Sequence, residues 1–284
     1  MESASTVAGW FHEDGPPLGE FVNHLSASIA RTEAAWGPFP DLRKAPTILI
    51  GSDYAGFHKQ ARYEVFSFIL TNPEMLGPWE RARKLVREKS LPNARRMSYK
   101  GLNDAFRRGA LGTFLDAANQ IPGLLLTFAI DRGVHSLFRR DDRDTVRSPE
   151  LNLLAGMSSI TAERTMRVIH LASLCLRGTT RADQDVLWIT DEDEIVPNEK
   201  RLRRFVDLFT AVSSHYLVHD LRHLRIGTTR LDTGRRDVED LVAICDLAAG
   251  ALQDNLSLSK DVNFWPRHHY STTLAYPLAR KPRL

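Results

Sequence analysis

The sequence predicts an α/β protein built on a mixed β-sheet with helices on both faces. Short apolar segments of strand length come first in succession, and later ones alternate with longer segments of helical spacing. Successive strands form antiparallel hairpins, whereas strands that alternate with helices form parallel βα units. The chain has 284 residues, of which 43% are hydrophobic, enough for one large domain with extensions.

The first half of the chain supplies the predicted antiparallel strands. Residues 47–53 form a short apolar run that ends in an aspartate, and residues 62–70 follow as a second strand after an irregular turn. Residues 95–99 are a third candidate strand. Helical spacing of charged and apolar residues predicts helices on either side of it, over 79–89 and 102–119.

The second half supplies strands and helices in alternation. Near-continuous apolar runs at 123–130 and 185–190 are typical of strands buried on both faces, and 223–230 is a last candidate strand. Helices are predicted at residues 149–176, 198–216 and 238–256.

Three regions are predicted along the chain. Residues 1–45, with one short helix over 21–35, form an N-terminal extension packed on the core. Residues 46–258 form the α/β domain, and residues 259–284 form a basic C-terminal tail. No internal repeat or low-complexity tract interrupts this order.

Composition permits a polyanionic partner without requiring one. The formal net charge is +3 and the isoelectric point is about 8.9. Arginine far outnumbers lysine and often occurs in pairs, which suits phosphate binding but equally follows from a GC-rich genome. The sequence leaves homo-oligomer formation open.

Several classes of protein are disfavoured. Cys175 and Cys245 lie in apolar stretches without disulfide or zinc spacing, which fits a reducing cytoplasmic setting. No signal peptide is visible and no apolar run reaches the roughly 20 residues of a membrane span, so a soluble protein is expected. Phosphate-binding and dinucleotide-binding glycine motifs are absent, which disfavours an ATPase or a dehydrogenase.

Aspartates provide the main functional signal. Asp53, Asp131 and Asp191 each follow a predicted strand, where ligands bind in open α/β sheets. Asp246 lies amid apolar residues of the last helix, where an unpaired carboxylate is costly. Clustered carboxylates repel one another and favour Mg²⁺ or Mn²⁺, and a pair of such ions about 4 Å apart can promote phosphodiester hydrolysis.

Three segments resemble a bacterial and phage family of uncharacterised ribonuclease H-like proteins. They are residues 52–56 (SDYAG), 188–194 (WITDEDE) and 231–252 (LDTGRRDVEDLVAICDLAAGAL). In that family a first strand ends in an Asp-Glu-Ser-Gly-type motif and a later strand ends in aspartate. Near the C-terminus, an acidic-serine turn precedes a helix with an Ala-Asp-Leu core. The resemblance implies a ribonuclease H-like fold for residues 46–258 and metal-dependent cleavage of nucleic acid.

By this resemblance, four aspartates take the family's acidic positions. Asp53 stands at the first strand, Asp191 at the later strand, Asp232 at the turn and Asp246 in the helix. The chain departs from the family after Asp53.

Tyr54 and Ala55 replace the family's glutamate and serine. The missing glutamate leaves two alternatives. Either Glu64, Asp193 or Asp131 completes the metal shell, or the site is degenerate.

The leading hypothesis is a Mg²⁺- or Mn²⁺-dependent phosphodiesterase acting on RNA or DNA. The predicted catalytic and metal-binding residues are Asp53, Asp191 and Asp246, with Asp131, Asp193 and Asp232 as further metal ligands. The predicted substrate-binding residues are His58, Lys59 and Arg62.

Two alternatives remain from the sequence. One is a decayed ribonuclease H-like module that binds nucleic acid or a protein partner in a phage or defence system. The other is a nucleotide-sugar transferase that holds a metal-bound diphosphate with Asp191-Glu192-Asp193. The transferase hypothesis predicts that Asp53 and Asp246 lie far from Asp191.

Overall fold

A computed structural model describes Trp10 and residues 20–59, 61–134, 152–258 and 272–277. Six strands form one mixed sheet. They are β1 Thr47–Ala55, β2 Tyr63–Thr71, β3 Gly123–Asp131, β4 Asp185–Thr190, β5 His223–Thr228 and β6 Thr272–Pro277. Their order across the sheet is β5-β4-β1-β2-β3-β6.

Six helices accompany the sheet in the described ranges. They are α1 Glu20–Trp36, α2 Gly77–Ser90, α3 Ala105–Ala118, α4 Ser159–Thr179, α5 Glu199–Ser213 and α6 Asp237–Leu258. Short 3₁₀ turns connect several of these elements.

The pairing of the strands confirms a mixed sheet with antiparallel strands first and parallel strands later. The placement of residues 123–130 among the alternating βα units is wrong, because this strand pairs antiparallel with β2. β1, β2 and β3 pair in antiparallel succession, whereas β4 and β5 add in parallel on the other side of β1. β1, β3, β4 and β5 therefore run in one direction, and their carboxyl ends lie at one edge of the sheet.

The pleat divides the strand residues between two faces, each covered by helices. In β1, Leu49, Gly51 and Asp53 point to the face on which α6 packs, with α2 and α3 beside it. Ile48 and Ile50 point to the opposite face, where the core includes apolar residues of α1, α4 and α5. Both faces of the sheet are therefore buried, as the apolar strand sequences predict.

Both terminal regions contribute to this sheet domain. Leu25 and Ile29 of α1 are buried in the core beneath the sheet. β6, from the region predicted as a tail, pairs antiparallel with β3 and forms an edge of the sheet. The other tail residues, 259–271 and 278–284, lie outside the described residues.

The prediction of a strand over residues 95–99 is wrong. These residues form an irregular connection between the 3₁₀ turns Pro92–Ala94 and Lys100–Asn103. Their carbonyl groups bond to arginine side chains, with Arg87 Nη1 3.1 Å from Arg95 O and Arg107 Nε 2.7 Å from Arg96 O. Backbone groups satisfied by side chains need no neighbouring strand.

The helix predicted over 149–176 begins later than expected. Ser158 caps it by accepting a hydrogen bond from Thr161 N at 3.1 Å, so α4 starts at Ser159. Residues 149–151 lie outside the described residues. None of the helices within the described ranges is long and apolar enough to cross a membrane.

A buried ion cluster fixes α2 against α6. The Asp240 side chain is 0% exposed and accepts from Arg83 Nη1 at 3.0 Å, while Arg87 also pairs with it. Two arginines share this one carboxylate inside the protein, so removal of its charge leaves both partly uncompensated.

We expect Asp240→Asn to lower the free energy of unfolding by roughly 3–5 kcal/mol, because it breaks a buried charge network. Urea unfolding followed by circular dichroism measures the change. Glu199→Gln, which breaks the exposed pair between Glu199 and Arg203, is the control and should cost less than about 1 kcal/mol. Equal unfolding midpoints for the two variants contradict a stabilising role for the Asp240 cluster.

Candidate functional site

Asp53 lies near the carboxyl end of β1, where α6 crosses the strand closely. A Cβ atom at Gly51 would lie 2.8 Å from Ile69 Cγ2 and 3.7 Å from Leu241 of α6, so glycine permits this approach. Cys245 Sγ lies 3.4 Å from the carbonyl oxygen of Gly51. The next residue of the helix, Asp246, is thereby brought to the end of β1.

Hydrogen bonds orient the carboxylates of Asp53 and Asp191. Asp53 Oδ1 accepts from Tyr54 N at 2.6 Å. Asp191 follows β4 directly, and its own N–H donates to Ser52 O in β1 at 3.3 Å. Asp191 Oδ1 accepts from Thr229 Oγ1 at 2.7 Å, from the turn after β5.

Asp246 is oriented by the connection between α2 and α3. Its Oδ2 accepts from Tyr99 N at 2.6 Å. A Cβ atom at Gly250, one helical turn later, would lie 2.3 Å from the Tyr99 ring, so the glycine leaves room for this ring. Another turn on, Asp254 Oδ2 accepts from Tyr99 Oη at 2.8 Å. Tyr99 thus packs along one face of α6, on which Asp246, Gly250 and Asp254 follow one another at four-residue spacing.

The three carboxylates are electrostatic neighbours. Burial raises the pKa of Asp53 well above its usual value, and the charges of Asp246 and Asp191 raise it further. Burial also raises the pKa of Asp246, to which Asp191 adds, while the Tyr99 N–H and Arg96 oppose the rise. The structure therefore brings Asp53, Asp191 and Asp246 into one mutually repelling cluster.

Arg96 supplies a positive charge inside this cluster. Its Nη2 lies 2.5 Å from Asp191 Oδ2. Its charge also lowers the pKa of both Asp53 and Asp246.

The chemical type of these donor groups, carboxylate oxygens, suits a divalent cation. Half-buried carboxylates that repel one another are ligands that suit Mg²⁺ and Mn²⁺. As arranged, however, no group of three His, Cys, Asp or Glu side chains among the described residues is close enough to hold an ion together. Binding therefore requires the carboxylates to adjust, and Arg96 already occupies one oxygen of Asp191.

Glu64 lies on the opposite face of the sheet from Asp53. The register pairs Asp53 with Ser67, so Glu64 falls on the other side of the pleat. There it pairs with Arg164 at 2.8 Å and with Arg167 at 2.9 Å, both from α4. The structure does not bring Glu64 to the cluster.

Asp193 stabilises the turn after β4. Its Oδ1 accepts from Ile195 N at 2.8 Å and from Val196 N at 3.2 Å. Burial raises the pKa of Asp193 to about 6, although both backbone bonds lower it. These bonds direct its carboxylate into its own loop.

Asp131 and Asp232 have local partners. Asp131 ends β3, which β2 separates from β1, and it pairs with Arg62 at 3.3 Å. Asp232 accepts from the N–H groups of Arg236 at 2.9 Å and Val238 at 3.0 Å, at the start of α6. The structure does not bring Asp131 to the cluster, and it gives Asp232 a capping position.

The predicted substrate-binding residues lie around the β1–β2 connection. His58 and Lys59 are exposed, and their carbonyl oxygens accept from Arg132 Nη1 at 2.8 and 3.2 Å. Arg62 is directed to Asp131, as described above. These three residues lie at the same edge of the sheet as the cluster.

Sequence analysis missed three residues that contact the cluster: Arg96, Tyr99 and Thr229. Two of them lie in the segment wrongly predicted as a strand, which hid their position. The spacing of Asp246, Gly250 and Asp254 on one helix face was the signal that something packs there. Nothing in the sequence indicates that Arg96 is directed to Asp191.

No protein-family profile and no curated protein matches the chain. One similar solved structure is the ribonuclease H2 from Pyrococcus horikoshii OT3, with 12% sequence identity and a TM-score of 0.35. The similarity covers 73% of this chain and 72% of that one.

We expect Asp53→Asn to raise the free energy of unfolding at pH 7 by about 0.5–2 kcal/mol in the presence of chelator. The raised pKa means that folded Asp53 binds its proton more tightly than unfolded Asp53. Ionisation therefore costs the wild type stability as pH rises from the unfolded pKa through the folded pKa, and asparagine avoids that cost.

The advantage of Asp53→Asn should vanish below about pH 4, where aspartate is protonated in the unfolded chain as well. Urea unfolding at several pH values measures it. Asp116→Asn, at an exposed position of α3, is the control and should change little at any pH. A destabilised Asp53→Asn at pH 7 contradicts the repulsion between these carboxylates.

Proposed function

We propose that this protein is a metal-dependent phosphodiesterase that cleaves RNA or DNA. Asp53, Asp191 and Asp246 hold Mg²⁺ or Mn²⁺ in this proposal. The observation that carries it is that strand pairing and helix packing bring these three carboxylates, from β1, the end of β4 and α6, to one face of the sheet. The pKa values of Asp53 and Asp246 are raised there, as is typical of functional sites.

The strand arrangement supports a ribonuclease H-like fold. Three antiparallel strands lead into two parallel strands added beside β1, as the sequence resemblance implies. The acids that the resemblance assigns to the first strand, the later strand and the C-terminal helix are the three that cluster. The proposed activity rests on this cluster and not on the fold, because one fold serves many activities.

Each proposed ligand has a partner that orients it. Tyr54 N–H fixes Asp53, Thr229 fixes Asp191, and Tyr99 N–H fixes Asp246. Such outer bonds hold ligating oxygens in place and raise metal affinity. A divalent cation supplies Lewis-acid activation of water and stabilises the leaving oxygen of the phosphodiester.

Cations next to these orienting residues are suited to phosphate binding. Lys100 follows Tyr99 and is exposed. Arg230 follows Thr229 and its side chain is 68% exposed, with Glu192 as its partner. Together with His58, Lys59 and Arg62, they are the proposed contacts for the sugar-phosphate backbone.

A second candidate function is a non-catalytic module that binds nucleic acid or protein. The contact between Arg96 and Asp191 favours it, because an arginine can take the place of a lost metal. The nucleotide-sugar transferase hypothesis is disfavoured. It predicts that Asp53 and Asp246 lie far from Asp191, whereas the charge of Asp191 acts on both.

We expect the wild type to cut at least one of four labelled substrates, single- or double-stranded RNA or DNA, with Mn²⁺ or Mg²⁺ and not with chelator. Asp246→Asn should lower the rate about 100-fold or more, because one lost ligand removes several kcal/mol of charge stabilisation. Gel electrophoresis of end-labelled strands measures the rate.

Asp116→Asn is the control, because Asp116 is exposed on α3 and has no part in the proposed site. It should retain activity within about threefold of the wild type, as expected for an exposed surface charge. Equal loss in Asp116→Asn and Asp246→Asn contradicts the proposed ligand set. Binding of nucleic acid without cleavage by the wild type favours the second candidate instead.

A further inference from the structure

Arg96 interacts with all three proposed ligands. Its guanidinium contacts Asp191 at 2.5 Å. Its charge also acts on Asp53 and Asp246. A single cation thus compensates part of the negative charge that the three carboxylates bring together, in the region where a metal ion would do the same.

The backbone that carries Arg96 is anchored on both sides. We call residues 91–99 the strap. The Arg95 carbonyl accepts from Arg87 at 3.1 Å, and the Arg96 carbonyl accepts from Arg107 at 2.7 Å. Tyr99 N–H binds Asp246 at the end of the strap. The strap backbone is therefore anchored by side chains of α2, α3 and α6.

The Arg96 side chain is held through one hydrogen-bonded ion pair, between its Nη2 and Asp191. One third of the side chain is exposed (33%), so it borders solvent. Its buried Nε has no hydrogen-bond partner among the described residues. Arginine keeps its proton in proteins, so its positive charge leaves the cluster only when the side chain moves.

We propose that Arg96 is an internal counter-ion of the acidic cluster, and that a divalent cation binds by displacing its guanidinium from Asp191. This inference rests on the proposed function. Two cations cannot share the same carboxylate oxygen without strong repulsion. Arg96 therefore lowers the affinity of the site for metal and keeps the cluster partly neutralised without one.

The displaced side chain stays next to the site because the strap holds its backbone. A guanidinium there can form paired hydrogen bonds to a phosphate group. Metal binding would thus release a phosphate-binding group at the position where the phosphodiester arrives.

Titration of Mn²⁺ by calorimetry, without nucleic acid, tests the displacement. Arg96→Gln should bind Mn²⁺ about tenfold more tightly than the wild type, because no positive charge then competes for the carboxylates. The control is Arg95→Gln, which removes the same charge from the adjacent residue. Arg95 pairs with Asp104 and lies over the Phe106 ring at 4.5 Å, so its loss should change the affinity less than about threefold.

Arg96→Met keeps the apolar stem of the side chain and provides a second variant with the same expected gain if Arg96→Gln does not fold. Equal or weaker Mn²⁺ binding by the folded Arg96 variant overturns the inference, while metal binding by the wild type leaves the proposed function standing. Absence of Mn²⁺ binding in the wild type and in both Arg96 variants overturns the inference and the proposed metal site together.

Discussion

The close packing of α6 on β1 is the contact on which the candidate site depends. Gly51 has no side chain, so the helix approaches the strand directly, and Cys245 lies against the strand backbone. This approach places Asp246 beside Asp53, although almost 200 residues separate them in sequence. The parallel pairing of β4 with β1 then adds Asp191 at the same edge. The three carboxylates become electrostatic neighbours because a helix crossing and a strand pairing coincide there.

At this edge of the sheet, the acidic side chains on the two faces differ in how their charge is paired. On the face covered by α4, Glu64 is matched by Arg164 and Arg167, so the buried charge is fully paired. On the face covered by α6, three carboxylates share the charge of Arg96. Buried charges are stable when they are paired and hydrogen-bonded. The first arrangement is therefore suited to stability, and the second leaves negative charge for a ligand to neutralise.

The Arg96 contact links the two candidate functions. The Arg96 guanidinium pairs with Asp191 and stabilises the cluster without metal. This contact is expected both at a metal site before the cation binds and at a site that has lost metal binding. The two candidate functions differ in whether a divalent cation can displace the Arg96 guanidinium from Asp191. Thr229 and Tyr99 donate orienting hydrogen bonds to Asp191 and Asp246, and such bonds are what a metal site requires of its surroundings.

The sequence by itself determined five of the six strands, the helices between them, the mixed character of the sheet and the aspartates at strand ends, because these follow from local periodicity and composition. It did not indicate β6, which lies in the region predicted as a tail. It failed at residues 95–99, where side chains from α2 and α3 satisfy the backbone. Only the tertiary structure decided which acids share a site. The register of the hairpin places Glu64 on the other face of the sheet from Asp53. The strand order places Asp131 two strands away from Asp53, and the packing of α6 places Asp246 beside Asp53. Arg96 reaches the cluster from the connection between α2 and α3. Register, strand order and helix packing depend on contacts between distant segments, which no local pattern encodes.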